Sequence, residues 1–331
     1  MRNLELYKIM EYAKLSGASY KSEAEMRDFL SSEPCPGKKY TVIKYRDNPK
    51  SGFQGYLLKD TLNARYVFAF RGTEFIRELV KDTILTDAHM MLLGAPRQMY
   101  DALEFVAEMQ REYGLSEDDT IFTGHSLGGS LAAMAGYVFG FEAYAYNPYG
   151  IGKLIRSAGS GGGFNIKKTI GEHMKELGVD VKKSEKSIHS YVNLGMFAPD
   201  FVAGLLTYMT VSFHVGEVQY LKDAPGNWLS IIDKHTVGKT LENLGSQRWA
   251  DEAEAKGYFI RCCEKMRERK NAAPPRRRPL SAAGAKYSGC RSSFRRPRIR
   301  NKERPARRKT LTQQRIAYIF LRYFKFLKGG R

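Results

Sequence analysis

The sequence predicts an α/β fold, a mixed, mostly parallel sheet flanked by helices, and three observations carry that expectation. Strand-like runs alternate with runs of helical period through residues 1–260. Within them, "TIFTGHSLGGSLAAMAG" (Thr120–Gly136) sets a serine between glycines, after an apolar run and before an alanine-rich segment. Finally, charge divides the chain. Residues 1–260 carry 30 Lys and Arg against 32 Asp and Glu, whereas residues 261–331 carry 24 against 3. The overall charge of +19 therefore describes a near-neutral body followed by a basic tail.

The opening residues place Leu4, Tyr7 and Leu15 at helical spacing. In "SEAEMRDFL", Ser22 and Glu25 stand as a capping box, so a second helix starts there. Three strand-like runs follow, Tyr40–Tyr45, Phe53–Lys59 and Arg65–Phe70, the last two joined by the turn-forming "DTLNA". From Arg97 to Gly114 the apolar residues Met99, Ala102, Leu103, Val106 and Met109 share one helical face, with Gly114 at the cap position. The strand "TIFT", a helix from Leu127 and the apolar run "FEAYAYNPYG" come next. "SIHSYVN" (Ser187–Asn193) and "VSFHVGEVQYL" (Val211–Leu221) are expected strands, and Thr236–Leu244 a late helix.

The glycine loop Ser157–Asn165 lacks the G-K-[ST] ending of a phosphate-binding loop. Four cysteines, Cys35, Cys262, Cys263 and Cys290, have neither metal-ligand nor disulfide-framework spacing, so no metal and no cofactor is expected. The N-terminus has no continuous apolar core of a signal peptide. The most apolar window, Asn193–Phe213, is interrupted by Pro199 and Asp200, which argues for buried core over a membrane span. The protein is thus expected to be cytoplasmic or exported by a signal-peptide-independent route.

The expected domains are a body over 1–265 and a Pro/Arg-rich tail over 266–331. The tail has too few large apolar residues to offset its ordering entropy and reads as largely disordered. Its last stretch, "RIAYIFLRYFKFLKGGR", alternates aromatic and basic residues and suits a short interfacial helix. Such a tail can contact an anionic membrane. As an alternative, an inactive or regulatory body could carry a basic nucleic-acid- or membrane-binding arm. Nucleic acid is disfavoured, since the body has no basic surplus and the tail no recognisable nucleic-acid module.

The chemistry centres on Ser126. A bare G-x-S-x-G arises by chance in about one chain in ten of this length, so its context matters more than its letters. Here a β-type run precedes it, and Gly129, Ala132, Ala133, Ala135 and Gly136 let the following helix lie close to a strand. That is the setting of a nucleophile elbow, whose partners follow in the order Ser…Asp/Glu…His. Asp200 follows a strand-like run after a short loop, and Asp180 is the second candidate. Of the later histidines, His235 lies in a loop before a helix, where a mobile base belongs, and His214 lies mid-strand as a pleat-facing residue. His89, His125 and His173 have surface or loop readings, and His189 lies on a strand. The backbone N–H of Leu127 would be one oxyanion donor, and Thr73 in "FAFRGTE" is the candidate for a second.

Together, "YVFAFRGTEFIRELVKDTIL" and "FTGHSLGGSLAAMAG" resemble the class 3 lipase family, which includes fungal triacylglycerol lipases and plant and bacterial phospholipases A1. The resemblance covers about Tyr66 to Leu244. It implies an α/β-hydrolase fold and a catalytic triad of Ser126, Asp200 and His235, with Thr73 and Leu127 at the oxyanion. It also implies a lid over about 74–92, with Phe75, Ile76, Leu79 and Val80 on its apolar side. The expected activity is hydrolysis of acyl glycerolipids at a membrane or micelle interface. Leu79 stands where the family often has tryptophan, and the Asp200–His235 gap is shorter than in fungal members.

Overall fold

The computed structural model describes residues 3–32, 40–72, 84–152, 155, 170–194, 214–222, 235–251 and 253–255, with side chains in the helix Ile84–Tyr113 described from residue 97. The chain divides into two units, Met1–Glu264 and Lys265–Arg331, and the second lies outside the described residues. So do the apolar window after Leu194 and the glycine loop.

In the first unit the elements are α1 (Asn3–Ala18), α2 (Glu23–Ser32), β1 (Tyr40–Asn48), β2 (Phe53–Asp60), β3 (Arg65–Phe70), α3 (Ile84–Tyr113), β4 (Thr120–His125) and α4 (Leu127–Phe139). They continue with β5 (Glu142–Tyr146), α5 (Ile170–Glu176), β6 (Ile188–Leu194), β7 (Glu217–Lys222), α6 (Val237–Gly245) and β8 (Trp249–Ala250). The eight strands form one sheet in sequence order. β1, β2 and β3 pair antiparallel, β3 through β7 pair parallel, and β8 returns antiparallel.

Each parallel strand is laid beside its predecessor in one direction. Right-handed crossovers then put their connecting helices on a common face. Accordingly, residues of α3, α4 and α5 share one core with Phe68, Phe70, Phe122, Ala143 and Ala145. The alternate residues Val67, Ala69, Ile121, Tyr144 and Tyr146 pack with residues of α1, α2 and α6 on the other face. Period-two alternation in β3, β4 and β5 thus supplies two hydrophobic faces from the same strands. On the first face Phe68 meets Phe105 edge-on with ring centroids 5.4 Å apart. Each fully buried phenylalanine there contributes about 1.5–3 kcal/mol.

The local signals behave as the sequence predicts at α2, where Ser22 N donates to Glu25 Oε2 (2.8 Å) and Glu25 N to Ser22 Oγ (3.4 Å). Two readings change. The helix expected from Arg97 begins at Ile84, so the later part of the expected lid, 84–92, continues α3. His214 is not a mid-strand residue, because β7 begins only at Glu217. The cause is Gly216, held at φ +79 so close to β6 that a Cβ there would lie 2.3 Å from Ile188 O. An extended strand cannot run through that turn.

A three-layer arrangement of this topology, with a strand–turn–helix at Ser126 in mid-sheet, is the α/β-hydrolase fold. Among the described residues no helix is long and apolar enough to cross a membrane.

Candidate active site

Ser126 joins β4 to α4 with φ 58 and ψ −126, a region that residues with a side chain occupy only under strain. The surrounding backbone enforces it. Ser126 N donates to Tyr146 O on β5 (2.9 Å), and Ser130 N donates to Ser126 O (3.2 Å) as α4 starts. The helix doubles back so tightly that a Cβ on Gly124 would lie 2.2 Å from Gly128 O. A Cβ on Gly128 would lie 2.2 Å from Phe70 O at the end of β3. Both motif glycines are therefore steric requirements of the bend. The Ser126 side chain makes no capping bond to its own helix. Its Oγ donates instead to the Tyr149 hydroxyl at 3.4 Å. Burial raises the Tyr149 phenol pKa, and the bond to Ser126 works against that shift.

The carboxyl ends of parallel strands are where open α/β sheets present their ligand-binding residues, and the candidates can be sorted by that edge. Ser126 follows β4 there. Leu127 opens α4, and its N–H is among the first-turn donors without an intrahelical acceptor. A Cβ on Gly72, two residues past β3, would lie 3.2 Å from Ser126 Cβ, so the "FRG" backbone abuts the serine. Thr73, the next residue, lies outside the described residues, as do Phe75, Ile76, Leu79, Val80 and Asp200.

His235 shares this edge. Its ring centroid is 4.9 Å from that of His125, the residue before the serine. Its Nε2 is buried and has no hydrogen-bond partner among the described residues. No hydrogen bond joins it to Ser126 Oγ, a contact that catalytic groups often make only when substrate is bound. The competing candidates are at the other end of the sheet. Lys182 N and Ser184 N bond to Val138 O and Tyr137 O at the C-terminal end of α4, which puts the exposed Asp180 near the strands' N-terminal edge. His214 precedes the turn that Gly216 seats against Ile188, the first residue of β6, at that same edge.

Two histidines given surface or loop readings from the sequence have defined places. His173 meets the Tyr100 ring (centroids 4.7 Å apart) and Glu104 (3.2 Å), pinning α5 to α3. His125, read from sequence as a surface or loop residue, is 5% exposed at the end of β4. Its Nδ1 lies 3.0 Å from the Tyr20 hydroxyl, and its Nε2 bonds to the His235 carbonyl. The only sequence signal for it was its position inside G-x-S-x-G.

A buried amide network was also illegible in the sequence. Thr240 Oγ1 accepts from Asn147 Nδ2 (2.9 Å) and Asn193 Nδ2 (3.0 Å) while donating to Thr236 O (3.2 Å). Asn147 Oδ1 accepts from Asn193 N (2.8 Å), and Asn193 Oδ1 accepts from Asn243 Nδ2 (3.2 Å). These bonds tie the ends of β5 and β6 to α6, the helix that follows His235.

Burial dominates the electrostatics. Desolvation lowers the His125 pKa to about 4, opposed by its bond to the His235 carbonyl. Desolvation, and then the neighbouring His125, hold His235 well below the ordinary histidine value. Both imidazoles are therefore neutral at pH 7. Because their folded pKa values lie below the unfolded value of 6.5, the unfolded chain binds protons first as pH falls. Stability is then lost from about pH 6.5 down toward pH 4. His125 alone is expected to remove about 1 kcal/mol between pH 7.5 and 5.5. Urea denaturation at those two pH values should show a smaller loss for His125→Gln than for the parent, and equal losses would contradict a buried neutral His125.

Among the described residues no group of acidic, histidine or cysteine side chains is arranged to hold a metal ion. Residues 12–160 match a family model described as a Tle-like phospholipase domain. Among solved structures, Lip2 lipase from Yarrowia lipolytica is 16% identical, with 67% of this chain and 82% of that chain covered at a TM-score of 0.44. An MDLA mutant from Penicillium cyclopium is 16% identical over 76% and 93% at 0.42. A triacylglycerol lipase from Penicillium expansum is 17% identical over 66% and 80% at 0.38. At such TM-scores the likeness carries no weight, and the fold rests on the strand order and the elbow. No curated protein matches the chain. Residues 12–160 are thus similar to a phospholipase domain, within a chain whose strand order and elbow are those of the α/β-hydrolase fold.

Proposed function

We propose that the protein is a serine carboxylic-ester hydrolase acting on acyl glycerolipids, as a phospholipase A1 or a triacylglycerol lipase. The observation that carries this reading is the elbow conformation of Ser126, a strained backbone whose side chain is not spent on capping.

In the proposed reaction Ser126 Oγ attacks the ester carbonyl while His235 Nε2 takes its proton. The backbone N–H of Leu127 and a donor from Thr73 hold the oxyanion. The tetrahedral intermediate collapses to an acyl-serine as His235 returns the proton to the leaving alcohol. Water, deprotonated by the same imidazole, then releases the fatty acid. Asp200 would accept from His235 Nδ1 and hold the ring in the tautomer that leaves Nε2 basic. In support, the "FRG" backbone lies against Ser126, and His235 Nε2 is buried, neutral and unpartnered among the described residues. Phe75, Ile76, Leu79 and Val80 would form the apolar side of a lid over about 74–92.

A fluorophosphonate ester tests the mechanism. Stoichiometric labelling with the adduct mapped to Ser126 is expected, and no adduct, or one elsewhere, would overturn it.

Phospholipid is preferred over triacylglycerol because the matching family model is of a phospholipase domain and a basic stretch follows the body. Each Lys or Arg near an anionic bilayer contributes about 1 kcal/mol. Hydrolysis of anionic vesicles should exceed that of zwitterionic ones and lose the excess on deletion of 266–331. Equal rates on both would remove the tail from the account.

A further inference from the structure

His125 lies next to the nucleophile in sequence and next to the base in space, and its two ring nitrogens are both engaged. A carbonyl oxygen can only accept, so the bond to His235 O requires that His125 Nε2 carry the proton. In a neutral imidazole Nδ1 is then an acceptor, and the Tyr20 hydroxyl at 3.0 Å donates to it. Burial keeps the ring neutral, so one tautomer satisfies both contacts.

Tyr20 is itself held by the structure around it. It lies in the turn after α1, where Ser19 Oγ donates to Phe70 O (3.1 Å) at the end of β3. Gln54 Nε2 (3.0 Å) and the Tyr56 hydroxyl (2.7 Å), both from β2, donate to Lys21 O. The Tyr20 hydroxyl also fills the space beside Gly72, where a Cβ would approach it to 2.2 Å. One phenol therefore touches the strand end leading to the oxyanion residue and the histidine flanking the serine.

We infer that Tyr20 and His125 act as a positioning pair for the base, a strut running from the α1 turn through the imidazole of His125 to the backbone carbonyl of His235. This rests on the reading of Ser126 and His235 as nucleophile and base. His235 sits at the mouth of α6, and its Nε2 has no bond to fix it among the described residues. The strut holds the base's main chain beside the nucleophile's main chain, whatever its side chain is doing. Neither Tyr20 nor His125 exchanges a proton with substrate.

The test uses the full chain with a soluble p-nitrophenyl ester. Tyr20→Phe and His125→Leu should each lower kcat on the order of tenfold, with KM within about twofold. The pair acts as a unit, so Tyr20→Phe should cost nothing further in the His125→Leu background. His125→Gln offers an amide N–H to the carbonyl and an amide oxygen to the phenol, so it should recover most of the lost kcat. Thermal melting identifies variants that fold. If His125→Leu does not fold, Tyr20→Phe and His125→Gln decide the matter. A folded variant with parental kcat, an effect confined to KM, or additive losses would overturn the strut. Ser126→Ala run in parallel separates the two ideas. Activity persisting there sinks the hydrolase reading, whereas a dead Ser126→Ala beside a fully active Tyr20→Phe sinks only the strut.

Discussion

Ser126→Ala should lower ester turnover by on the order of 10⁴–10⁶ while leaving thermal stability near that of the parent. The size follows from the route: without the hydroxyl no acyl-enzyme forms, and what survives is whatever the oxyanion donors and binding contribute to attack by water. The stability expectation comes from the site itself. The serine's hydroxyl donates one long hydrogen bond, to Tyr149, and its backbone bonds to Tyr146 O and Ser130 N persist in alanine. Alanine must still adopt φ 58 with the same Cβ, so the backbone strain there is unchanged. The measurement is steady-state hydrolysis of a p-nitrophenyl ester with a melting curve on the same preparation. A loss of less than about tenfold in a folded variant would mean that Ser126 is not the nucleophile.

Thr240→Val should destabilise the fold more than any other nearly isosteric change among the residues that support the site. Thr240 Oγ1 is completely buried and receives two amide donors, from Asn147 and Asn193. Valine keeps the volume and withdraws the acceptor from both. A buried donor left without its acceptor costs about 1–3 kcal/mol, so about 2–6 kcal/mol is expected. A urea midpoint lowered by about 1 M or more would register it. Activity should fall as well, because the network locates the helix that follows His235. A loss under about 0.5 kcal/mol would show that the two amides find other acceptors and that the network does not anchor α6.

These two residues mark opposite ends of what can be read without coordinates. Ser126 is legible because its requirements are local. A strand, a bend too tight for a Cβ at Gly124 and Gly128, and a helix of small residues occupy consecutive positions. The capping box at Ser22 and Glu25, the alternation in Arg65–Phe70, and the strand order follow from equally short-range rules of period, cap and crossover hand. Thr240 gave no signal, because a threonine four residues into a helix is ordinary until two asparagines, one just past β5 and one in β6, meet it. The proposed second and third members of the triad lie between these cases. Asp180 against Asp200 and His214 against His235 could be ranked from sequence only by local setting.

The amino-acid order by itself determined the α/β architecture, the serine at its bend and the division into a neutral body and a basic tail, since each depends on near neighbours or on composition. Which edge of the sheet the described candidates Ser126, His235, Asp180 and His214 occupy came from the folded chain alone. It set Asp180 and His214 away from the serine, and it brought His235, Tyr20 and His125 together around Ser126. Parallel crossovers run β3 through β7 in one direction, so the sheet has two distinct edges a strand's length apart. A residue's distance from the nucleophile therefore depends on which end its loop leaves, and local sequence does not encode that.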